Sequence, residues 1–176
     1  GAHGAHLPFL GMDHLSRADL AVVSAHKTLP ALGQTALLLA GERYTHEDLR
    51  RAGSIYGTSS PSYVLMASIE NSIYQMERMD MEPYRREIMK LRERLKGMGC
   101  LRLVDTDIIG QYGIHDLDVS KIVVSTRKSS LTGADLDRVL RREYHLEMEM
   151  CGADYVTAIT TPMDRDEGLR RLGDAL

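Results

Sequence analysis

The stretch Ala18-Asp19-Leu20-Ala21-Val22-Val23-Ser24-Ala25-His26-Lys27-Thr28-Leu29-Pro30 (residues 18–30) joins a short apolar run to a lysine and then to a proline. Its first half reads as a buried strand from Ala18 to Ser24, and Gln34 to Ala40 reads as a second one, with a loop from Lys27 to Gly33 between them. Both runs are almost continuously apolar, which predicts an α/β sheet covered on both faces rather than a half-exposed antiparallel one. A lysine placed just past such a strand has the chemistry of a Schiff-base nucleophile once it is desolvated or bound to an aldehyde. Ser24 and His26 flank it with donors suited to a phosphate. Alone, Ser-x-His-Lys describes equally well a lysine that reaches into water.

Composition narrows the class. The 176 residues suffice for one domain or a domain with a subdomain, and 22 Lys and Arg against 25 Asp and Glu leave a net charge of −3. That balance gives no support to a nucleic-acid surface, and no basic tract interleaved with aromatics occurs. The longest apolar runs, Thr35 to Ala40 and Tyr63 to Ala67, are too short to span a bilayer, and no signal segment opens the chain. A cytoplasmic protein without a membrane partner is expected. Cys100 and Cys151 have no ligand-type spacing, so they read as buried, reduced thiols.

Farther along, Thr45-His46-Glu47-Asp48 has the form of a capped helix start that leads into Leu49 to Tyr56 and stops at Gly57. Thr58-Ser59-Ser60-Pro61-Ser62 follows, with its proline suited to the first turn of a helix. Tyr63, Met66, Ile69, Ile73 and Met76 then recur at helical spacing, and Tyr84, Ile88, Leu91, Leu95 and Met98 repeat the pattern after Pro83. The methionines from Met76 to Met81 read as core filling. After Gly97 and Gly99 the composition changes. Lys121 to Thr126 reads as a strand, and Gly133 to Tyr144 as a helix with an apolar face of Leu136, Val139 and Leu140. Leu146 to Cys151 and Tyr155 to Thr160 read as strands joined by Gly152-Ala153-Asp154, and Asp164 to Leu176 as a closing helix. Two regions result, 1–99 and 100–176, with the boundary between Gly97 and Asp105.

His3, His6 and His14 invite a metal reading, but no carboxylate or histidine set follows at ligand spacing, so no metal is expected. Thr58-Ser59-Ser60 before a helix start is a better candidate for anion binding, since hydroxyls and free amides converge there. The bland alternative is N-capping, which needs one hydroxyl where this segment has four with Ser62. No Walker or dinucleotide fingerprint and no Gly-x-Ser-x-Gly elbow is present. Glu147 and Glu149 alternate with Met148 and Met150 in the manner of a half-exposed strand rather than a catalytic carboxylate pair.

Taken together, Ala2-His3-Gly4-Ala5-His6, Ser24-Ala25-His26-Lys27-Thr28-Leu29 followed by Gln34, and Thr58-Ser59-Ser60-Pro61-Ser62-Tyr63 resemble the ornithine/lysine/arginine decarboxylase family. Asp118-Val119-Ser120-Lys121-Ile122 and Leu131-Thr132-Gly133 resemble, more loosely, the start of that family's small C-terminal domain. The resemblance implies an α/β chain formed by the C-terminal part of a fold-type I pyridoxal-phosphate-dependent large domain, with the aspartate-aminotransferase fold, followed by part of a small α+β domain. It implies pyridoxal 5'-phosphate as cofactor, Lys27 as the Schiff-base lysine, and Ser24 and His26 as phosphate contacts. It further implies that Ala2 packs on one face of the pyridine ring and that Thr58 reaches the phosphate of the neighbouring subunit in a homodimer or higher homo-oligomer. The implied reaction is decarboxylation of a basic amino acid, arginine, lysine or ornithine, to a polyamine-type amine.

The family's aspartate beside the pyridine nitrogen would fall immediately before Gly1, and its upstream phosphate loop and ring-stacking aromatic would lie earlier still. The resemblance therefore leads us to expect a fragment that is inactive alone. Aminotransfer or aldol cleavage on the same fold, or a non-catalytic module that self-associates through its Met-rich helices and strand edges, are the alternatives.

Overall fold

The structure, a computed structural model, describes residues 3–12 and 15–176. By packing, the chain forms two compact units, one ending at Met81 and one running from Glu82 to Leu176. The change of composition at Gly97–Asp105 thus falls inside the second unit, because the helix ahead of it packs on elements that follow.

In the first unit, strand β1 (Leu20–Ser24) runs into a single helical turn, α1 (Ala25–Thr28), and returns as strand β2 (Ala36–Ala40). The two strands pair antiparallel, from Leu20 opposite Ala40 to Ser24 opposite Ala36. This corrects the expectation of a sheet covered on both faces. The connection is one turn and a loop that bring the chain straight back beside β1 instead of crossing over the sheet. β1 consequently has two unlike faces: Ala21 and Val23 are buried, whereas Leu20 and Val22 are 43% and 61% exposed. Val23, Ala25, Leu29 and Met76 form the core of the unit with Ala5, and Met79 and Met81 pack against it, so the methionines do fill core.

Helix α2 (His46–Tyr56) begins where its sequence demands: the Thr45 hydroxyl accepts from Asp48 N, and the Asp48 carboxylate accepts from Thr45 N. It buries none of its residues. Helix α3 (Tyr63–Arg78) is capped by Ser62, whose hydroxyl accepts from Leu65 N at 3.4 Å. Pro61 therefore lies ahead of the cap rather than in the first turn. Ser62 can leave its helical dihedrals and offer a side-chain oxygen, which suits it to this position.

The second unit is a four-stranded antiparallel sheet in the order β3-β4-β6-β5, with β3 (Arg102–Leu103), β4 (Lys121–Ser125), β5 (Met150–Cys151) and β6 (Tyr155–Ile159). Ile122 lies opposite Ala158 and Val124 opposite Val156, all four buried, while their strand neighbours are half-buried. Period-two alternation thus turns one face inward. Helices α4 (Glu82–Leu95), α5 (Gly133–Tyr144) and α6 (Asp166–Ala175) cover it with Ile88, Leu91, Leu95, Leu136, Leu140 and Leu169. Val139, expected on the inner face of α5, is 40% exposed. The strand expected over Leu146–Cys151 shrinks to two residues, because His145 takes a left-handed backbone (φ 53°) to end α5, and the chain reaches the sheet only at its end.

Two polar groups are built into this core. The Tyr84 hydroxyl donates to Thr160 Oγ1 at 2.8 Å, since the hydroxyl proton of Thr160 is committed to Ser120 O at 2.9 Å. Burial pushes the Tyr84 phenol up to about 12. Arg92, 1% exposed, donates to Asp105 Oδ1 at 2.7 Å and to the carbonyls of Val104, Val119 and Lys121. Burial alone would raise the pKa of Asp105, but the bonds from Arg92, the Thr106 backbone and Lys96 outweigh it and hold the carboxyl below its ordinary range.

Replacing Arg92 by methionine should cost about 3–5 kcal/mol, because it leaves the carbonyls of Val104, Val119 and Lys121 without this donor and Asp105 with Lys96 as its remaining cation; urea denaturation measures it. Since the folded pKa of Asp105 is depressed, its contribution is complete above about pH 4 and is lost as pH falls through the folded value. Asp105→Asn should therefore flatten the acid limb of a stability-against-pH curve. A second pair of substitutions tests packing. A Cβ at Gly133 would collide with the backbone oxygens of Gly152 and Tyr155, whereas one at Gly168 meets nothing within 4 Å. Gly133→Ala should cost about 1–3 kcal/mol, and Gly168→Ala in the first turn of α6, where the added methyl has open space, should stabilise by up to about 1 kcal/mol.

Candidate functional site

The Ser24–Thr28 segment has an inside and an outside, set by which residues the core accepts. Ala25 is fully buried, Thr28 and Leu29 nearly so, and Leu29 N donates to Ala25 O at 2.9 Å to close the turn. That leaves Ser24 and His26 half-buried and Lys27 exposed on the other side. The one-turn helix thus leaves all three of these candidates accessible, while its small residue, Ala25, joins the core with Val23 and Met76. Ser24 occupies the cap position, but its side chain makes no capping bond. Thr28 Oγ1 is buried and has no hydrogen-bond partner.

The loop after the turn is tied back to it. The Thr35 carbonyl accepts from Ala25 N at 3.0 Å and lies 2.8 Å from His26 Nδ1. Thr35 itself is buried, and its hydroxyl donates to Leu32 O at 2.7 Å. Leu32 N in turn donates to Ser68 Oγ on α3 at 2.8 Å. Gln34, between Gly33 and Thr35, takes a left-handed backbone with φ 72°. Neither Thr35 nor Ser68 was legible as part of this arrangement. A carbonyl acceptor leaves no mark on residue type, and Ser68 sits mid-helix among several serines.

Thr58 lies in the exposed loop between α2 and α3, where its Oγ1 accepts from Ser60 N at 3.1 Å. Its bond is local, and the link between this region and the Lys27 turn runs instead through Ser68. Of the four hydroxyls in the segment, Ser62 serves as the cap and Thr58 as a turn acceptor. Ala2 and His14 lie outside the described residues. Among the described residues, no group of three or more His, Cys, Asp or Glu could hold a metal ion, and no helix is long and apolar enough to cross a membrane.

Residues from the second unit contribute less chemistry. Glu147 pairs with Arg141 at 3.1 Å, and Glu149 N donates to Thr157 O at 2.9 Å at the edge of the sheet. Cys100 and Cys151, expected to be buried, are both exposed free thiols, since each lies at an edge of the sheet or in the approach to one. A cavity of about 460 Å³ is lined by Lys96, Arg102, Lys128, Asp105 and Asp107, and several of these charges are already paired, as in Arg102–Asp107 at 2.6 Å.

The donor set around Lys27 fits pyridoxal phosphate in kind: an amine for the aldehyde, with an uncommitted hydroxyl and an imidazole for the phosphate. Comparison with known proteins identifies the family. Residues 4–119 match the model of the family described as Orn/Lys/Arg decarboxylase, major domain. The arginine decarboxylase of Bacillus subtilis is 29% identical over 99% of this chain, and that of Halalkalibacterium halodurans is 27% identical over 99%. The chain spans 37% of the length of each. Among solved structures, the lysine decarboxylase of Francisella novicida aligns with a TM-score of 0.68 at 19% identity, over 89% of this chain and 27% of that one. The alanine–glyoxylate aminotransferase of Nostoc sp. aligns with a TM-score of 0.60 at 16% identity, over 90% and 47%. At these identities the solved structures speak to the fold, and the family match, which covers the Lys27 turn and the Thr58 loop, establishes membership: this chain belongs to the Orn/Lys/Arg decarboxylase family.

Proposed function

We propose that this chain carries the Schiff-base lysine and phosphate contacts of a pyridoxal-phosphate-dependent decarboxylase of basic amino acids. The observation that supports this best is the two-sided Ser24–Thr28 turn, which buries Ala25 and Thr28 and leaves Ser24, His26 and Lys27 accessible inside the matched family region. Lys27 Nζ is the amine that holds the aldehyde, and it must lose its proton to do so. Ser24 Oγ and His26 hold the phosphate, Ala2 packs on a face of the ring, and Thr58 reaches the phosphate bound by a second copy in a dimer. When bound, pyridoxal phosphate supplies an electron sink for the pair left on carbon as carbon dioxide departs. Lys27, once exchanged for the substrate amine, is placed to return a proton.

The names of the curated relatives favour arginine among the three basic amino acids, and an amine of the polyamine type is then the product. A cytoplasmic protein is the setting this reading calls for. In a protein of the relatives' full length, carbon dioxide release from arginine, lysine and ornithine would rank the substrates. Accumulation of a keto acid in place of an amine would support aminotransfer instead.

Incubation with pyridoxal 5'-phosphate, borohydride reduction and peptide mapping should place the pyridoxyl adduct on Lys27, and Lys27→Ala should abolish that adduct. Labelling spread evenly over surface lysines would defeat the cofactor reading and favour a non-catalytic module.

A further inference from the structure

Thr35 stands in none of the motifs that carry the family resemblance, yet three of the bonds around the Lys27 turn end on it. We propose that Thr35, secured by Ser68, is a positioning residue that selects the tautomer and orientation of the His26 ring. The proposal rests on the cofactor reading above for its functional consequence, but the geometry stands by itself.

A backbone carbonyl has no proton to give, so the 2.8 Å contact between Thr35 O and His26 Nδ1 requires the proton on Nδ1. In the neutral ring Nε2 is then the unprotonated nitrogen and can only accept, and in the charged ring it becomes the second donor; Nε2 is the atom left for a ligand, and it is the charged ring that can donate to a phosphate. The same carbonyl accepts from Ala25 N at 3.0 Å, one step beyond the Ser24–Ala36 end of the ladder, so ring and turn share a single anchor.

An anchor of this kind must itself be held. The Thr35 hydroxyl donates to Leu32 O at 2.7 Å, which closes the loop upon itself, and Leu32 N donates to Ser68 Oγ at 2.8 Å, which fastens the loop to α3. The chain His26–Thr35–Leu32–Ser68 is therefore continuous. Thr35 is 2% exposed, so its hydroxyl has no water to replace the Leu32 carbonyl if the loop shifts. Gln34 accepts a left-handed backbone, a conformation that costs a non-glycine residue about 1–2 kcal/mol. The loop keeps that shape because its neighbours on both sides are bonded.

The test reads the ring directly. With the histidine side chains of the full chain labelled with ¹⁵N, His26 at a pH above its titration should show a protonated Nδ1 and an unprotonated Nε2. Thr35→Val, which keeps the shape and loses the donor, should give a mixture of tautomers, and Thr35→Ser should restore the single form. Ser68→Ala should produce a smaller shift in the same direction. Borohydride trapping of pyridoxal 5'-phosphate on Lys27 should fall roughly three- to ten-fold in Thr35→Val and recover in Thr35→Ser, as loss of one hydrogen bond predicts. A wild-type ring protonated on Nε2, or a Thr35→Val chain that folds with an unchanged ring spectrum, would overturn the positioning role. A selected tautomer without any trapping at Lys27 would sustain the positioning role and defeat the cofactor reading, so the two fail separately.

Discussion

The bond from Ala25 N to Thr35 O, 3.0 Å long, continues the β1–β2 ladder one step past its last strand pair. A single such bond contributes only about 1 kcal/mol net, and closing the loop opposes it with chain entropy. It persists because Ala25 is fully buried in the small core around Val23, Leu29 and Met76, where an unpaired amide would carry the whole desolvation cost. Burial of one methyl-bearing residue thus dictates where the ladder ends. The position of the turn, and with it the outward side of Ser24, His26 and Lys27, follows from that end point.

The second unit solves the opposite problem. Its apolar face is large enough to hold the sheet to three helices, but the ends of β3 and β4 leave the carbonyls of Val104, Val119 and Lys121 converging on one interior point. Only a planar cation with several donors can answer so many acceptors at once, which is the reason for an arginine rather than a lysine at position 92. The charge that this brings inside is balanced by Asp105, with Lys96 3.3 Å away on its other oxygen. The gain is a fixed register between α4 and the strands. Apolar packing alone, being non-directional, would specify it less sharply.

Much of this was legible where structure is local. Thr45 announces a helix cap that forms as read, because its partner Asp48 is three residues away, and Thr132, which the sequence reading passed over, caps α5 in the same way with Asp135. The motif around Lys27 carried the family resemblance, and the family match covers it. What escaped is what depends on distant backbone. Apolarity alone could not say that β1 and β2 face each other antiparallel, since that follows from the length and hydrogen bonding of the connection. Val139 has the right period for the inner face of α5 but sits at its margin, and Cys151 is apolar enough for a core yet falls on an edge strand. The cradle of His26 is made from a carbonyl, which every residue type possesses.

Placement and activation of Lys27 are therefore separate matters. The turn gives Lys27 a fixed origin and an accessible side, but only an unprotonated amine is a nucleophile. Desolvation has to come from whatever covers that side. On the proposed reading, a cofactor ring over the accessible side of the turn, with its phosphate on Ser24 and His26, would supply part of the cover itself. This chain would then contribute orientation: the His26 ring held at Nδ1 by Thr35 O, a Ser24 hydroxyl that makes no capping bond, and Lys27 on a turn that buried Ala25 anchors. Orientation of this sort is inexpensive in contacts, but it fails if the loop from Leu29 to Thr35 loosens. That makes the bonds at Leu32 and Thr35 as consequential for the chemistry as the residues that touch the ligand.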